Sequence, residues 1–401
     1  MRKLTKKIAA VVLSAVMVGG VFAGCSATKD NNETPEKKTS YKIGICQLLQ
    51  HDALDAATKG FEDKLKELGE AEGITFEFDY QNASNGDDAK TSNKKTSYKI
   101  GICQLVTHDA LDAATKGFED KLNELGKADG ITFDFDYQNA SGDSANCTTI
   151  ANKFVSSNYD LIMANATPAL QACATVTAAS QTPVVATSVT DYATALDIDM
   201  GPTDATGINV TGTSDLAPLD KQADQIMELF PDTKKVGVIF CSAEPNSKPQ
   251  ADGVKKALEA KGVTCEYFAF SDSNDISAVA KKAASEVDVI YIPTDNTAAS
   301  NGAVIDDACT NANVPVIAGE EGIFKNTKAV ATLSISYYTL GQTTAQMAYD
   351  ILVNGKNPAE MNIQQTDGLT YKYNSEQAKK FKANIPDGYE EATTAEATTE
   401  E

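Results

Sequence analysis

The chain has 401 residues, is 42% hydrophobic and carries a formal charge of −21. That length accommodates more than one domain around a sizeable core. The acidic balance excludes a nucleic-acid surface, which needs a basic face. In chain order, Arg2, Lys3, Lys6 and Lys7 precede the short apolar run IAAVVLSAVMVGGVFA (8–23), and small residues lead to Cys25. This is the layout of an export signal, residues 1–24. The run falls short of the roughly 20 residues of a membrane span, so it is read as a cleaved signal and not as an anchor helix. Cleavage removes Arg2, the only arginine, and the chain has no tryptophan. The mature protein therefore cannot clamp an anion with a guanidinium, and backbone N–H groups, hydroxyls or lysines must serve.

Residues 25–40 are polar and aperiodic, as in a tether. Next comes a repeat. Residues 37–84 match residues 94–141 at an offset of 57, differing at Leu49/Val106, Gln50/Thr107, Lys66/Asn123, Glu70/Lys127, Glu72/Asp129 and Glu77/Asp134. Each copy reads as strand, helix, strand, too little to bury a core alone. The copies should compete for one place in the fold. The second, contiguous with the chain from Ile150 onward, is expected to hold it, with residues 41–93 displaced or swapped into a neighbouring molecule.

In the second copy, YKIGICQL (98–105) is apolar on both faces, as a buried parallel strand is. Leu111, Ala114, Phe118, Leu122 and Leu125 then recur at helical spacing, with Gly126 as a stop. ITFDFDY (131–137) alternates strictly, which predicts a strand near a sheet edge. Helix 150–156, strand 160–166, helix 168–180 and strand 183–189 continue the rhythm, and 203–214 reads as a polar bend. After helix 220–229 a second series starts at KVGVIFC (235–241). It alternates strand and helix as far as VPVIAGE (314–320), then KAVATLSIS (328–336) and a long helix 340–354. Two such series predict an α/β fold of two doubly wound lobes. The end, 387–401, is an acidic Thr/Glu tail expected to be disordered.

The eight cysteines form no C-x-x-C and have no histidine nearby, so zinc is not expected. They read as buried free thiols, with a Cys147–Cys173 disulfide as the alternative. The only histidines, His51 and His108, are the same position in the two copies. H-E-x-x-H, G-x-S-x-G, Walker A and G-x-G-x-x-G are all absent, so neither catalysis nor a cofactor is expected.

Several stretches resemble one family: GICQLVTHDALDAATKGF, LIMANATPALQA, VTD, VTGTSDLAP, IYIPTDNT, PVIAGEEG and ATLSISYYTLGQTTAQMA. In order, they are similar to the substrate-binding lipoproteins of ABC transporters of the tryptophan or tyrosine type. The Ala-Gly-Cys ending likewise resembles the bacterial lipoprotein cleavage motif, which implies lipidation of Cys25. Asp109 and Tyr192 stand where relatives commonly have Pro. The resemblance implies two Rossmann-like lobes joined by a three-segment hinge. Lobe 1 would be 94–212 plus 333–362, lobe 2 213–332, with a C-terminal segment 363–386. It further implies a monomer, held outside the cell membrane by lipid, that closes on an amino-acid-like solute and hands it to an ABC permease and its ATPase.

Ligands of open α/β sheets sit beyond the strands' carboxyl ends, at helix N-termini. A ligand carboxylate is thus expected on the N–H groups of Ala169 and Leu170 with the Thr167 hydroxyl, and an ammonium at Asp191, Asp295 or Glu320. Asn296 accompanies Asp295. Tyr192, Tyr337, Tyr338 and Phe324 are candidates to wall the side chain, and Gln104 and His108 to line the rim. Each has a structural alternative: Thr167 and Asp191 as caps, Asp295 and Asn296 as turn formers, His108 and Glu320 as solvated groups. A sugar or nucleoside ligand, or a sensor coupled to a membrane partner, are the competing functions.

Overall fold

The computed structural model describes residues 40–47, 52–82, 95–200, 203–366 and 368–392. The signal, Cys25 with its expected lipidation, nearly all of the tether and the tail beyond 392 lie outside the described residues. The chain divides into two compact units after Ser92.

In the first unit, β1 (Ser40–Gln47) and β2 (Thr75–Asn82) pair in parallel beside α1 (Asp52–Glu72). Its internal polar bonds are made: the Gln47 amide donates to Asp55 (2.6 Å) and accepts from Thr58 (2.8 Å). Part of its apolar surface is exposed among the described residues. Leu54 is 40%, Phe61 49% and Leu68 53% exposed.

The second unit begins with β3 (Ser97–Gln104), α2 (Asp109–Asp129), β4 (Thr132–Asn139), α3 (Ser144–Ser156) and β5 (Leu161–Asn165). It continues through α4 (Thr167–Thr177), β6 (Val184–Val189), α5 (Tyr192–Leu196) and β7 (Val210–Ser214). Then come α6 (Leu219–Leu229), β8 (Lys235–Cys241), α7 (Ser247–Ala260), β9 (Thr264–Phe270), α8 (Ile276–Glu286) and β10 (Val289–Ile292). After α9 (Asn296–Ser300), α10 (Gly302–Ala312), β11 (Val316–Ala318) and α11 (Glu321–Asn326) come β12 (Ala331–Ile335) and the long α12 (Tyr337–Leu352). The chain ends in β13 (Gln364–Gln365), β14 (Leu369–Tyr373), α13 (Ser375–Phe381) and β15 (Glu390–Glu391).

Two sheets result. The first, in the order β13-β7-β6-β5-β3-β4, is parallel throughout. The second, β15-β14-β12-β11-β10-β8-β9, is parallel except where β14 runs against β12. Central strands such as β5, buried at every position, read as continuous apolar runs because helices cover both faces. The alternating β4 is the edge strand. Helices α2 and α12 meet at backbone distance. A Cβ on Gly117 would stand 2.1 Å from the Tyr338 carbonyl oxygen, and one on Gly341 2.0 Å from that of Ala114.

Four local expectations change. Residues 210–214 form β7, not a bend. Their polar side chains suit burial because Thr211 donates to the Met361 carbonyl (3.0 Å) and Thr213 shares a hydrogen bond with Thr344 (2.8 Å). Gly126 does not stop α2. The helix continues to Gly130, whose φ of 69° is the left-handed conformation that ends it. Residues 333–335 lie in the second sheet, and the segment after 363 supplies β13 to the first sheet and β14 to the second. The acidic tail starts ordered. Glu390 and Glu391 pair with β14, and Tyr389 packs edge-on against Tyr371 at 5.3 Å.

Candidate binding cleft

Three chain segments cross between the sheets: from β7 to α6, from β12 to α12, and from β13 to β14. Between the lobes lies a cleft lined by His108, Leu111, Ser188, Thr190, Asp215, Asn246, Thr294, Asp295, Asn296, Glu320 and Tyr337. These residues sit at strand carboxyl ends or the first turns of the helices after them, where chain direction alone collects polar groups from both lobes.

Asp215, just after β7, is 2% exposed. Its Oδ2 accepts from the Tyr337 hydroxyl at 2.9 Å, while Oδ1 has no partner. Burial raises its pKa, against the pull of that bond. Glu320 caps α11 by accepting from the Gly322 N–H (2.6 Å) and the Ile323 N–H, and burial still pushes it up to about 7. Asp295 accepts from the N–H groups of Cys241 (2.6 Å) and Ala298 (2.8 Å) and from the Ser247 hydroxyl (2.8 Å). Burial, then the charge of Glu244, shift it upward. The lining thus holds three buried acids and neither lysine nor arginine. Glu244, one step back, accepts from the N–H groups of Asn296 (3.0 Å) and Thr297 (2.7 Å).

Glu244 also takes the Asn296 amide NH2 (2.8 Å), which turns Oδ1 of Asn296 toward Nε2 of His108 at 3.2 Å. Nε2 must then donate, so Nδ1 is an acceptor, and it has no partner. Burial lowers the His108 pKa, keeping the ring neutral. The Ser188 hydroxyl and Asn246 Oδ1 are unpartnered as well. Ser188 has a φ of 56°, strained for a side-chain-bearing residue and a common sign of a functional turn. His108 to Asn296, with Lys325 to Asp109 (3.5 Å), joins one lobe to the other across the cleft. The lobes are closed.

Of the residues singled out from sequence, His108, Asp295, Asn296, Glu320 and Tyr337 meet in the cleft. Six do not. Gln104 spends its amide on Thr115 (2.7 Å), Asn165 (3.3 Å), the Val106 carbonyl (2.8 Å) and Asp112 (2.5 Å). Thr167 and Ala169 are buried outside the lining, and the Leu170 N–H already donates to the Ala166 carbonyl (3.0 Å), so it is not free for a ligand. Asp191 caps α5, accepting from the N–H (3.1 Å) and hydroxyl (2.8 Å) of Thr194. Tyr192 lies behind β6 and β7, donating to the carbonyls of Ala186 (3.0 Å) and Thr213 (3.1 Å). Of the other aromatic candidates, Phe324 belongs to the second lobe's core and Tyr338 binds Asp120 at the surface (2.9 Å). The sequence places Thr190, Asn246 and Thr294 in rim stretches without assigning them a role, and it assigns none to Asp215 or Ser188. Asp215 escaped because β7 was read as a bend, which hid that an acid follows a strand end.

The profile of the ABC transporter substrate binding protein family matches residues 99–396. The chain belongs to that family. This binding protein is 34% identical over 288 residues to a tyrosine-binding protein of Clostridioides difficile, across 71% of this chain and 82% of the relative. A Streptococcus pneumoniae ABC domain solved with L-Trp superposes with a TM-score of 0.68 at 31% identity, covering 73% of this chain and 99% of that one. The ligand-free, open structure of a Clostridium difficile substrate-binding protein with adhesive properties gives 0.57 at 34% identity, covering 74% and 100%. As a member of this family, the binding protein works outside the cytoplasm, holding a small molecule for an ABC permease, and its family binds ligands and does not transform them.

Proposed function

We propose that the ligand is an amino acid, with tyrosine or tryptophan as the leading candidates. One observation carries the class: a buried carboxylate, Asp215, offers an unpartnered oxygen in a cleft holding three acids and no lysine or arginine. Such a site favours a cation, and an α-ammonium is small enough to meet Asp215 and Glu320 together. The unpartnered Ser188 hydroxyl is the donor available to the ligand carboxylate. This replaces the helix-tip anchor, whose Leu170 N–H is already used. Similarity to the tyrosine-binding relative and the L-Trp complex supports an aromatic side chain. The export signal and Cys25 support a lipid-anchored monomer that delivers this solute to its permease.

The test is a thermal-shift screen of the mature protein against the amino acids, followed by calorimetry. At about 100 times Kd, a true ligand stabilises by roughly 2.7 kcal/mol. Stabilisation by L-tyrosine or L-tryptophan supports the proposal, and no shift with any amino acid refutes it.

A further inference from the structure

We propose that the two copies of the repeat are interchangeable tenants of one place in lobe 1. The segment β1–α1–β2 would then be a spare that can replace β3–α2–β4.

Every residue of the second copy that is buried in lobe 1 has an identical counterpart in the first. The core face is Ile100, Ile102, Leu111, Phe118, Leu122 and Phe133, matched by Ile43, Ile45, Leu54, Phe61, Leu65 and Phe76. All six differences fall elsewhere: Thr107, Asn123, Lys127, Asp129 and Asp134 are exposed, and Val106 is half-buried. The close contact to α12 is also provided for. Gly117 permits it in α2, and its counterpart Gly60 in α1 meets nothing within 4 Å among the described residues. Phe118 is fully buried, while Phe61 is 49% exposed. The spare thus carries the same docking face, with Leu54 and Phe61 exposed and Ile43, Ile45, Leu65 and Phe76 half-buried where their counterparts are buried, and α12 with β5 is the surface that this face fits.

Exchange is topologically open. With the first copy seated, the second becomes a 57-residue insertion before Gly142, at a turn. Closing that loop weighs against the exchanged form by roughly four-hundred-fold from its length alone. The second copy, which needs no such loop, therefore holds the place at rest. A lesion in it that is more damaging than this factor hands the place to the spare.

The test uses the mature chain and three variants: Phe118→Asp, Phe61→Asp, and Phe118→Asp with residues 37–93 deleted. Hydrogen exchange read by mass spectrometry separates the helices, because Lys66/Asn123 and Glu70/Lys127 give them different peptide masses. In the unaltered chain and in Phe61→Asp, α2 is protected and α1 exchanges fast. In Phe118→Asp the pattern inverts, α1 gaining at least tenfold protection while β5 and β6 stay slow. The deletion variant loses protection across β5 and β6. If Phe118→Asp leaves α1 fast and resembles the deletion variant, the proposal is overturned. Loss of α2 protection in Phe61→Asp overturns it equally, since the first copy would then already be part of the resting lobe.

Discussion

An acid sealed from water keeps its proton unless a positive partner arrives, and the cleft depends on this. Burial holds Glu320 at about 7, against 4.5 for a free glutamate. The folded protein therefore keeps a proton that the unfolded chain releases. Stability from this group is greatest below about pH 4.5 and declines as pH rises to about 7, by roughly 3 kcal/mol in all. Glu320→Gln should flatten that part of the urea-denaturation profile. A bound ammonium reverses the preference and favours the carboxylate. Amino-acid affinity should then rise with pH up to about 7, with proton release at pH 6 measurable by calorimetry in two buffers of different ionisation heat. Asp215→Asn removes the charge facing the ligand while keeping the shape. Losing a charge-assisted hydrogen bond of about 1.5–3 kcal/mol should weaken binding about ten- to hundredfold, with no fall in the apo melting temperature.

Among elements, the α2–α12 contact shows how the same helix sequence acquires different value in two settings. A side chain at Gly341 would strike the Ala114 carbonyl at 2.0 Å. Gly341→Ala should cost about 1–3 kcal/mol, read by urea denaturation, because a backbone contact cannot yield as a side chain can. Gly60→Ala should be neutral or favourable to α1 by up to about 1 kcal/mol, since its site is open and alanine is the better helix former. Elements with a strong period were legible from the sequence: β3, β4, β8, β9 and α8 fall where their apolar spacing places them. β7 was not. VTGTS has neither apolar alternation nor bulk, and it is pairing with β6 and β13, with side-chain bonds to residues 150 and 131 positions away, that makes it a buried strand. The same omission hid Asp215.

At the scale of the whole molecule, the two lobes touch across the cleft: His108 of lobe 1 stands 3.2 Å from Asn296 of lobe 2, and Glu244 fixes the orientation of that pair. The first copy of the repeat belongs to a compact unit of its own. Deleting residues 37–93 from the otherwise unaltered chain should leave ligand affinity within about twofold by calorimetry, because the second copy already holds the place.

The sequence by itself determined the class: alternating apolar strands and helices dictate two doubly wound lobes, and a chain whose single arginine is Arg2 has no guanidinium in either lobe. It also marked acids and amides at strand ends, where Asp295, Asn296 and Glu320 serve the cleft. Only the tertiary structure decided which strand ends face each other. Asp191 and Asp295 both follow strands and both cap short helices, yet Asp191 lies outside the lining and Asp295 within it. Local spacing carries no information about which helix tip the opposing lobe will cover. The repeat makes the same point, since nearly one sequence occurs twice and packing against α12 and β5 buries Phe118 fully while its counterpart Phe61 is 49% exposed.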